Sequence, residues 1–124
     1  MSSFFELRIY QVFPNKMYQW VEFMEKTIIP FQINKGMKII GTFKLSQTDN
    51  FFLENNQRKM KTVKKNTYVW IRKFDSLNEK KNLYKKVYES KEWINDIAPI
   101  VDKLIDRNSI VVHNLKATKP SKIK

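Results

Sequence analysis

The stretch Phe5-Glu6-Leu7-Arg8-Ile9-Tyr10 decides the fold, because it predicts a β-strand that leads into a helix. Large side chains occur at both odd and even positions, whereas a strand with water on one face would alternate apolar and polar residues. We therefore expect the strand, residues 4–12, to be covered on both faces. Asn15 follows the strand and can cap the next helix.

An amphipathic run begins at Met17 and ends near Gly36. Its apolar side chains recur every three or four residues, which is typical of a helix with one buried stripe; they are Met17, Trp20, Val21, Met24, Ile28 and Phe31. Pro30 has no N–H to donate and is expected to kink the last turns. Gly36 can adopt the left-handed conformation that ends a helix.

The rest of the chain predicts three more strands and a second helical region. The strands are expected at residues 37–46, with a bulge at Gly41, at 67–74 and at 109–115. Ser76 begins a capped helix, and Ser90 begins a second helical segment that Pro99 should interrupt. The order β-α-β-β-α-β predicts an α+β, ferredoxin-like fold: a four-stranded antiparallel sheet with helices on one face.

The face of this sheet away from the helices is predicted to carry Tyr10, Ile40, Tyr68, Trp70 and Val111, and so to be rich in aromatic residues. An uncovered face of this kind serves as a binding surface or an interface. If two such sheets packed face to face, the result would be a homodimer. The sequence therefore predicts a second copy of the chain as the main partner.

Composition limits the classes of function. A chain of 124 residues without cysteine is a single domain that lacks disulfides, a thiolate nucleophile and a Cys-ligated metal site. No apolar run approaches the roughly 18 residues of a membrane span, so none is predicted. Residues 1–13 lack the pattern of a secretory signal, and we predict a cytoplasmic location.

The net charge of +12 points only weakly to nucleic acid. Lysine supplies most of the charge, whereas proteins that read base sequence rely on arginine forks. Residues 47–66 predict a long, partly mobile hairpin connection. It carries a basic loop that either contacts an acidic or phosphate-bearing partner or is simply solvated; the loop consists of Arg58, Lys59, Lys61, Lys64 and Lys65.

Several short segments, spread over residues 4–120, carry a family resemblance: residues 5–10, Ile28-Ile29-Pro30 ahead of Gly36-Met37, Gly41-Thr42-Phe43, Phe74-Asp75-Ser76-Leu77 and Glu92-Trp93. In order and spacing they resemble the NIPSNAP family. The resemblance implies a dimeric α/β barrel, in which the sheets of two subunits close on each other with the helices outside. It implies one domain over residues 1–118, followed by a flexible basic tail at 119–124.

The chain departs from the family pattern at its third main strand. Family members tend to carry His-Leu-Trp where this chain has Trp70-Ile71-Arg72, so a role tied to that histidine is not expected here. Related barrels place small-molecule clefts between the helices and the sheet. That placement suggests Trp20 as a wall of the cleft and Gly41 as a point where a ligand could approach the backbone.

The candidate ligand-binding residues come from the first helix and from all four predicted strands; they are Arg8, Tyr10, Trp20, Gly41, Trp70, Arg72 and His113. Glu6, Arg8 and Tyr10 share one strand face, and this patch could bind an anion or an aromatic group. The alternative is that Glu6 pairs with an arginine inside the dimer interface. His113 is the only histidine, so no metal site is predicted, and no cofactor or catalytic residue is assigned.

Three functions remain open. The first is a homodimeric barrel that binds a small, partly apolar ligand or acts as an assembly module. The second is a cofactor-independent, oxygenase-type enzyme that would use Tyr10, Trp70, Arg72 or His113 near the cleft. The third is RNA binding through the sheet face, although residues 68–71 lack the Lys/Arg-Gly-aromatic pattern of RNA-recognition domains. Whether the protein is an enzyme is left open.

Overall fold

The computed structural model describes residues 3–60 and 66–124. The chain begins with β1 (Phe4–Val12), α1 (Met17–Phe23), a π-helical turn (Met24–Ile28), α2 (Ile29–Asn34) and β2 (Lys38–Lys44). A hairpin of β3 (Phe52–Glu54) and β4 (Gln57–Lys59) precedes β5 (Thr67–Phe74). The chain continues with α3 (Leu77–Tyr88), a second π-helical turn (Trp93–Ile97), α4 (Ala98–Leu104) and β6 (Ile105–Leu115).

The main sheet has the strand order β2-β5-β1-β6, and every neighbouring pair is antiparallel. With helices between the strands, this arrangement confirms the predicted α+β, ferredoxin-like class. The predicted bulge at Gly41 is confirmed by a register shift between Ile39 and Gly41. The last strand begins earlier than predicted, since Ile105, expected in the helix, is the first residue of β6.

The predicted hairpin connection contains the separate two-stranded ribbon β3–β4. Its turn residues, Asn55 and Asn56, both have positive φ angles, of 52° and 64°. Paired left-handed residues match the twist of a tight hairpin, and asparagine tolerates this conformation better than most residues. Among the described residues, the two strands of the ribbon pair only with each other and lie outside the main sheet.

Both helical regions are interrupted in the same way, by a π-helical turn that ends two residues before a proline. Pro30 and Pro99 are each the second residue of the helix that follows the turn. A proline ring crowds the carbonyl four residues earlier and offers it no N–H, so a widened turn relieves the conflict. The kink predicted at Pro30 and the interruption predicted at Pro99 thus take the form of widened turns.

The caps predicted at Ser76, Ser90 and Gly36 are confirmed, but the cap predicted at Asn15 is wrong: Lys16 is the N-cap residue of α1, and no side-chain hydrogen bond caps that end in the described chain. Ser76 Oγ accepts a hydrogen bond of 3.0 Å from the Glu79 N–H, and Ser90 Oγ accepts one of 3.2 Å from the Trp93 N–H. Gly36 ends α2 with a φ of 108°, a left-handed conformation in which other residues would be strained. No helix in the described part of the chain is long and apolar enough to span a membrane.

The prediction of an open aromatic face is wrong. The register of β1 and β5 sets Tyr10 opposite Tyr68 and Arg8 opposite Trp70, and the helices cover this face. Trp20 of α1 packs edge-on against Tyr10, with ring centroids 5.8 Å apart. Tyr10, Tyr68 and Trp70 are therefore buried within one subunit, at most 6% exposed, and only Ile40 and Val111 of the predicted set are exposed.

The opposite side of the sheet is mainly aliphatic. We call it the aliphatic open face; its apolar side chains are Leu7 and Ile9 of β1, Val69 and Ile71 of β5, Phe43 of β2, and Val111 and Leu115 of β6, and Gly41 and His113 also lie on it. Phe43 is 56% exposed. At one end of this face the Lys73 ammonium donates a 2.8 Å hydrogen bond to the Lys124 carbonyl. The domain boundary at residue 118 and the flexibility of the tail remain predictions.

Candidate functional site

A cavity of about 500 Å³ lies between the helices and the covered face of the sheet. Strands β1 and β5 form its floor, and all three tryptophans of the chain lie in its walls. The lining residues are Arg8, Tyr10, Trp20, Met24, Ile28, Gln32, Trp70, Tyr84, Tyr88, Trp93, Ile94, Ala98, Val101, Ile105, Arg107 and Ile110. Most of the walls are apolar, with a few polar groups, as is usual for small-molecule sites.

Both π-helical turns contribute to this cavity. Met24 and Ile28 come from the first turn, and Trp93 and Ile94 come from the second. A π-helical turn widens the helix and is often found at functional sites. The two prolines therefore affect the shape of the cavity. Each causes a widened helical turn, and both widened turns line the cavity.

Four charged side chains form a cluster beside the cavity: Glu6, Arg8, Arg72 and Lys80, which we call the Glu6 cluster. Arg72 donates to Glu6 Oε1 from Nε at 3.0 Å and from Nη2 at 2.5 Å. The Lys80 ammonium lies 2.8 Å from Glu6 Oε2, and Arg8 Nη1 lies 3.7 Å from Oε1. Three cations thus share one buried carboxylate, which also accepts a short hydrogen bond from the Tyr84 hydroxyl.

Arg72 is a fully buried structural residue. Its Nη1 donates to Gln32 Oε1 at 2.8 Å and to the Tyr88 hydroxyl at 2.9 Å, in addition to the Glu6 contacts. Its guanidinium also lies 4.7 Å from the ring centroid of Trp70, a cation–π contact. Because its donors are engaged inside the protein, Arg72 holds the cluster together behind the cavity wall.

The cluster keeps Glu6 ionised. Burial alone would raise the pKa of Glu6, but the charge of Arg72 and the hydrogen bonds from Lys80 and Tyr84 outweigh burial and lower that pKa to about 2. The carboxylate is therefore negative at neutral pH. With Glu6 negative and three cations positive, the cluster carries a net charge of about +2.

Arg8 is the cation of the cluster that lines the cavity. Its Nε donates to the Tyr10 hydroxyl at 2.8 Å, and its Nη1 donates to the Tyr84 hydroxyl at 2.9 Å. Nη2 makes no hydrogen bond within residues 3–60 and 66–124, and the side chain is 12% exposed. The guanidinium is thus held in place by two tyrosines while part of its fork remains unused.

Two further donors line the cavity near Arg8. Burial raises the pKa of Tyr10 above its usual value, although the charge of Arg8 opposes this, so its hydroxyl stays protonated at neutral pH. The indole N–H of Trp20 is buried without a hydrogen-bond partner in the described part of the chain. The Trp70 indole N–H is likewise buried without a hydrogen-bond partner among the described residues.

The structure brings some of the predicted site residues together and separates others. Arg8, Tyr10, Trp20 and Trp70 line one cavity, and Arg72 lies behind its wall. Gly41, opposite Ile71, and His113, opposite Leu7, lie on the aliphatic open face. The oxygenase-type hypothesis placed all of its candidate groups near one cleft, and His113 is not near this one.

Two alternatives need correction. The Glu6–Arg72 pair was expected in a dimer interface, but it lies within one subunit, on the side of the sheet that the helices cover. RNA stacking needs exposed rings, whereas Tyr68 and Trp70 are buried under the helices. The aromatic side chains that suggested an open sheet face, Tyr68 and Trp70 among them, belong to the subunit's own core.

The predicted basic loop is only partly described. Arg58 and Lys59 belong to β4, and the Arg58 guanidinium lies 4.6 Å from the ring centroid of Phe51. Lys61, Lys64 and Lys65 lie outside the described residues. Its role as a surface for an acidic partner stays a prediction.

Sequence reasoning missed several residues of the cavity, namely Gln32, Tyr84, Tyr88, Trp93 and Arg107. Tyr84 and Tyr88 were detectable as inward-facing residues four apart on the second helix, but their partners on β1 and β5 come from tertiary structure. In the described ranges, no three His, Cys, Asp or Glu side chains are grouped to hold a metal ion.

Neither a protein-family model nor a curated protein matches the sequence. Solved structures do match. A NIPSNAP family protein from Agrobacterium tumefaciens is 19% identical, with a TM-score of 0.76 over 98% of this chain and 99% of that one. A second NIPSNAP family protein from that bacterium, of unknown function, is 17% identical, with a TM-score of 0.78 over 99% and 95%.

An uncharacterized NIPSNAP-like domain protein from Burkholderia xenovorans is 19% identical, with a TM-score of 0.74 over 96% of this chain and 88% of that one. The likeness therefore extends over nearly the whole chain. At such low identity it is a statement about the fold. At the level of the fold, the predicted resemblance to the NIPSNAP family is confirmed.

Proposed function

We propose that this chain is a member of the NIPSNAP family that binds a small, partly apolar ligand in the cavity between its sheet and its helices. The observation that carries the proposal is the cavity itself, at about 500 Å³. Ligand sites in proteins typically occupy about 300–1,000 Å³ and combine apolar walls with a few polar groups. Arg8, Tyr10 and Trp20 would supply the polar groups.

A packing defect is a poor explanation for this space. Protein interiors are close-packed, and a domain holds few voids much larger than one water molecule. A space of about 500 Å³ is far larger than such voids. The π-helical turns before Pro30 and Pro99 line the cavity instead of closing it.

A cavity-filling variant tests this proposal. Ala98 lines the cavity, so Ala98→Phe should block it, whereas Ala117→Phe makes the same change at an exposed residue just after β6. Calorimetric titration with 2-naphthalenemethanol should give saturable binding to the native protein and to Ala117→Phe, and none to folded Ala98→Phe. Binding that survives in Ala98→Phe, or no binding to the native protein, would contradict the proposal.

We also propose that the protein is a homodimer that buries the aliphatic open face against a second copy. The support is the row of exposed apolar side chains on β2 and β6, together with the barrel geometry that the NIPSNAP resemblance implies. In this arrangement the helices, and with them the cavity, remain on the outside of each subunit. Ligand binding and dimerisation would then use opposite faces of the sheet.

Native mass spectrometry tests the dimer and reports any retained small molecule in the same spectrum. The double variant Val111→Lys, Leu115→Lys should shift the protein from dimer to monomer, because it places charges on the buried face. Ile33→Lys changes an exposed residue of α2 and should leave the dimer intact. A native protein that stays monomeric at micromolar concentration would refute the homodimer.

A further inference from the structure

We infer that the ligand of this cavity is a small organic anion, a carboxylate or similar oxyanion on a flat apolar body, bound through Arg8. The inference rests on the proposed function, because it names the chemical class that the same cavity would accept. Three observations carry it: the charge balance of the Glu6 cluster, the excess of hydrogen-bond donors at one end of the cavity, and the aromatic walls.

The charge balance favours an anion. Glu6 is the carboxylate shared by Arg8, Arg72 and Lys80: Arg72 contacts Oε1 at 2.5 and 3.0 Å, and Lys80 contacts Oε2 at 2.8 Å. Arg8 Nη1 is 3.7 Å from Glu6, and Arg8 has no other acidic partner in the described chain. A cation that is mostly removed from water and poorly paired is stabilised by a further negative charge.

The hydrogen-bonding groups at this end of the cavity are donors. Arg8 Nη2 is unused, the Trp20 indole N–H is unpaired, and the Tyr10 oxygen accepts from Arg8, which leaves its O–H free to donate. None of the described residues that line the cavity is acidic. Several donors beside one cation are complementary to an oxyanion, which offers only acceptors.

The remaining walls suit the body of the ligand. Trp20 and Trp93 bring flat aromatic surfaces, and Met24 and Ile28 bring apolar contacts from the first π-helical turn. Aromatic rings pack against flat apolar groups in stacked or edge-on geometry. An aromatic or unsaturated carboxylate would match both ends of the cavity.

The test compares two probes that share a ring system: 2-naphthoate, which is ionised at pH 7, and 2-naphthalenemethanol, which is neutral. Calorimetric titration of the native protein should show the acid binding about 10- to 100-fold more tightly, the usual gain from hydrogen bonds to a charged group. Because Arg8 is mostly buried, the preference should persist between about 50 and 500 mM NaCl, unlike binding to surface lysines.

Variants locate the anion. Arg8→Gln should remove the preference for the acid while the alcohol still binds. Lys86→Gln removes an equal charge from an exposed position of α3 and should leave the preference unchanged. Trp20→Phe keeps a ring but removes the unpaired N–H. It should lower the affinity for the acid by about 3- to 10-fold, which corresponds to the loss of one hydrogen bond.

Equal affinity for the two probes, or a preference for the acid that survives in Arg8→Gln or vanishes in about 500 mM NaCl, would overturn this inference. The proposed function would still stand if the native protein bound 2-naphthalenemethanol and Ala98→Phe abolished that binding. If neither probe bound the native protein, both would fall. The comparison of probes on the native protein decides the question even if Arg8→Gln does not fold.

Discussion

Replacing Glu6 by glutamine should reveal how strongly the buried charge cluster stabilises the fold. The substitution keeps the shape of the side chain but removes the one negative charge among the described residues that contacts Arg8, Arg72 and Lys80. Glu6 and Arg72 are both fully buried, so water cannot replace the lost charge. Removing one partner of a buried ion pair is strongly destabilising, because the other charge remains buried and uncompensated.

The lowered pKa of Glu6 gives the magnitude. The pKa falls from 4.5 to about 2 on folding, so the charged form stabilises the folded state. At 1.36 kcal/mol per pKa unit, this amounts to about 3 kcal/mol, fully present above pH 4.5. The contribution is lost as the pH falls through the folded pKa, to less than half by pH 3 and to a small remainder near pH 2.

Urea unfolding followed by tryptophan fluorescence measures this difference. Glu6→Gln should lower the free energy of unfolding by about 3 kcal/mol at pH 7, and its deficit against the native protein should shrink towards zero near pH 2. Glu54→Gln, at the exposed end of β3, is the matched control and should change stability by less than about 0.5 kcal/mol. A deficit as small as the control's at pH 7, or one that does not shrink with acid, would refute the reasoning.

Three further predictions concern the frame around the cavity. Ser76→Ala removes the hydroxyl that accepts the hydrogen bond from the Glu79 N–H, so thermal unfolding should show that the free energy of unfolding falls by about 1 kcal/mol. Ser121→Ala should leave that free energy unchanged. Gly36→Ala should cost more than about 1 kcal/mol in urea unfolding, because φ is 108° there and the new Cβ would lie 3.2 Å from Leu83; an unchanged stability would contradict this. Arg58→Gln with Lys59→Gln should leave stability within about 0.5 kcal/mol in the same assay, since both residues lie in the separate ribbon, and a larger loss would show that the ribbon supports the fold.

The positions of the main strands could be predicted from the sequence, but the face of the sheet that packs against the helices could not. The strands at residues 4–12 and 67–74 were located because β-rich runs end at clear turn and cap residues. Because both faces of these strands carry large side chains, the alternation of residues along each strand does not show which face the helices cover. Tyr10 and Tyr84 lie inside with their hydroxyls hydrogen-bonded to Arg8 and Glu6, and the Trp70 ring packs against the Arg72 guanidinium.

The candidate site was predictable in its strand residues and less so in its helix residues. Arg8, Tyr10 and Trp70 follow from alternation along two neighbouring strands. The contributions of Tyr84 and Trp93 depend on how the helices pack across the sheet, and the two π-helical turns shift that packing. A proline in a helix signals a local irregularity, but it does not specify the cavity that the irregularity lines.

A crystal structure of the protein grown with 2-naphthoate tests the central claim most directly. The account predicts the naphthalene ring between Trp20 and Trp93, with a carboxylate oxygen within about 3 Å of an Arg8 nitrogen. Naphthoate bound only at surface lysines or on the aliphatic open face, with the cavity filled by water, would contradict it.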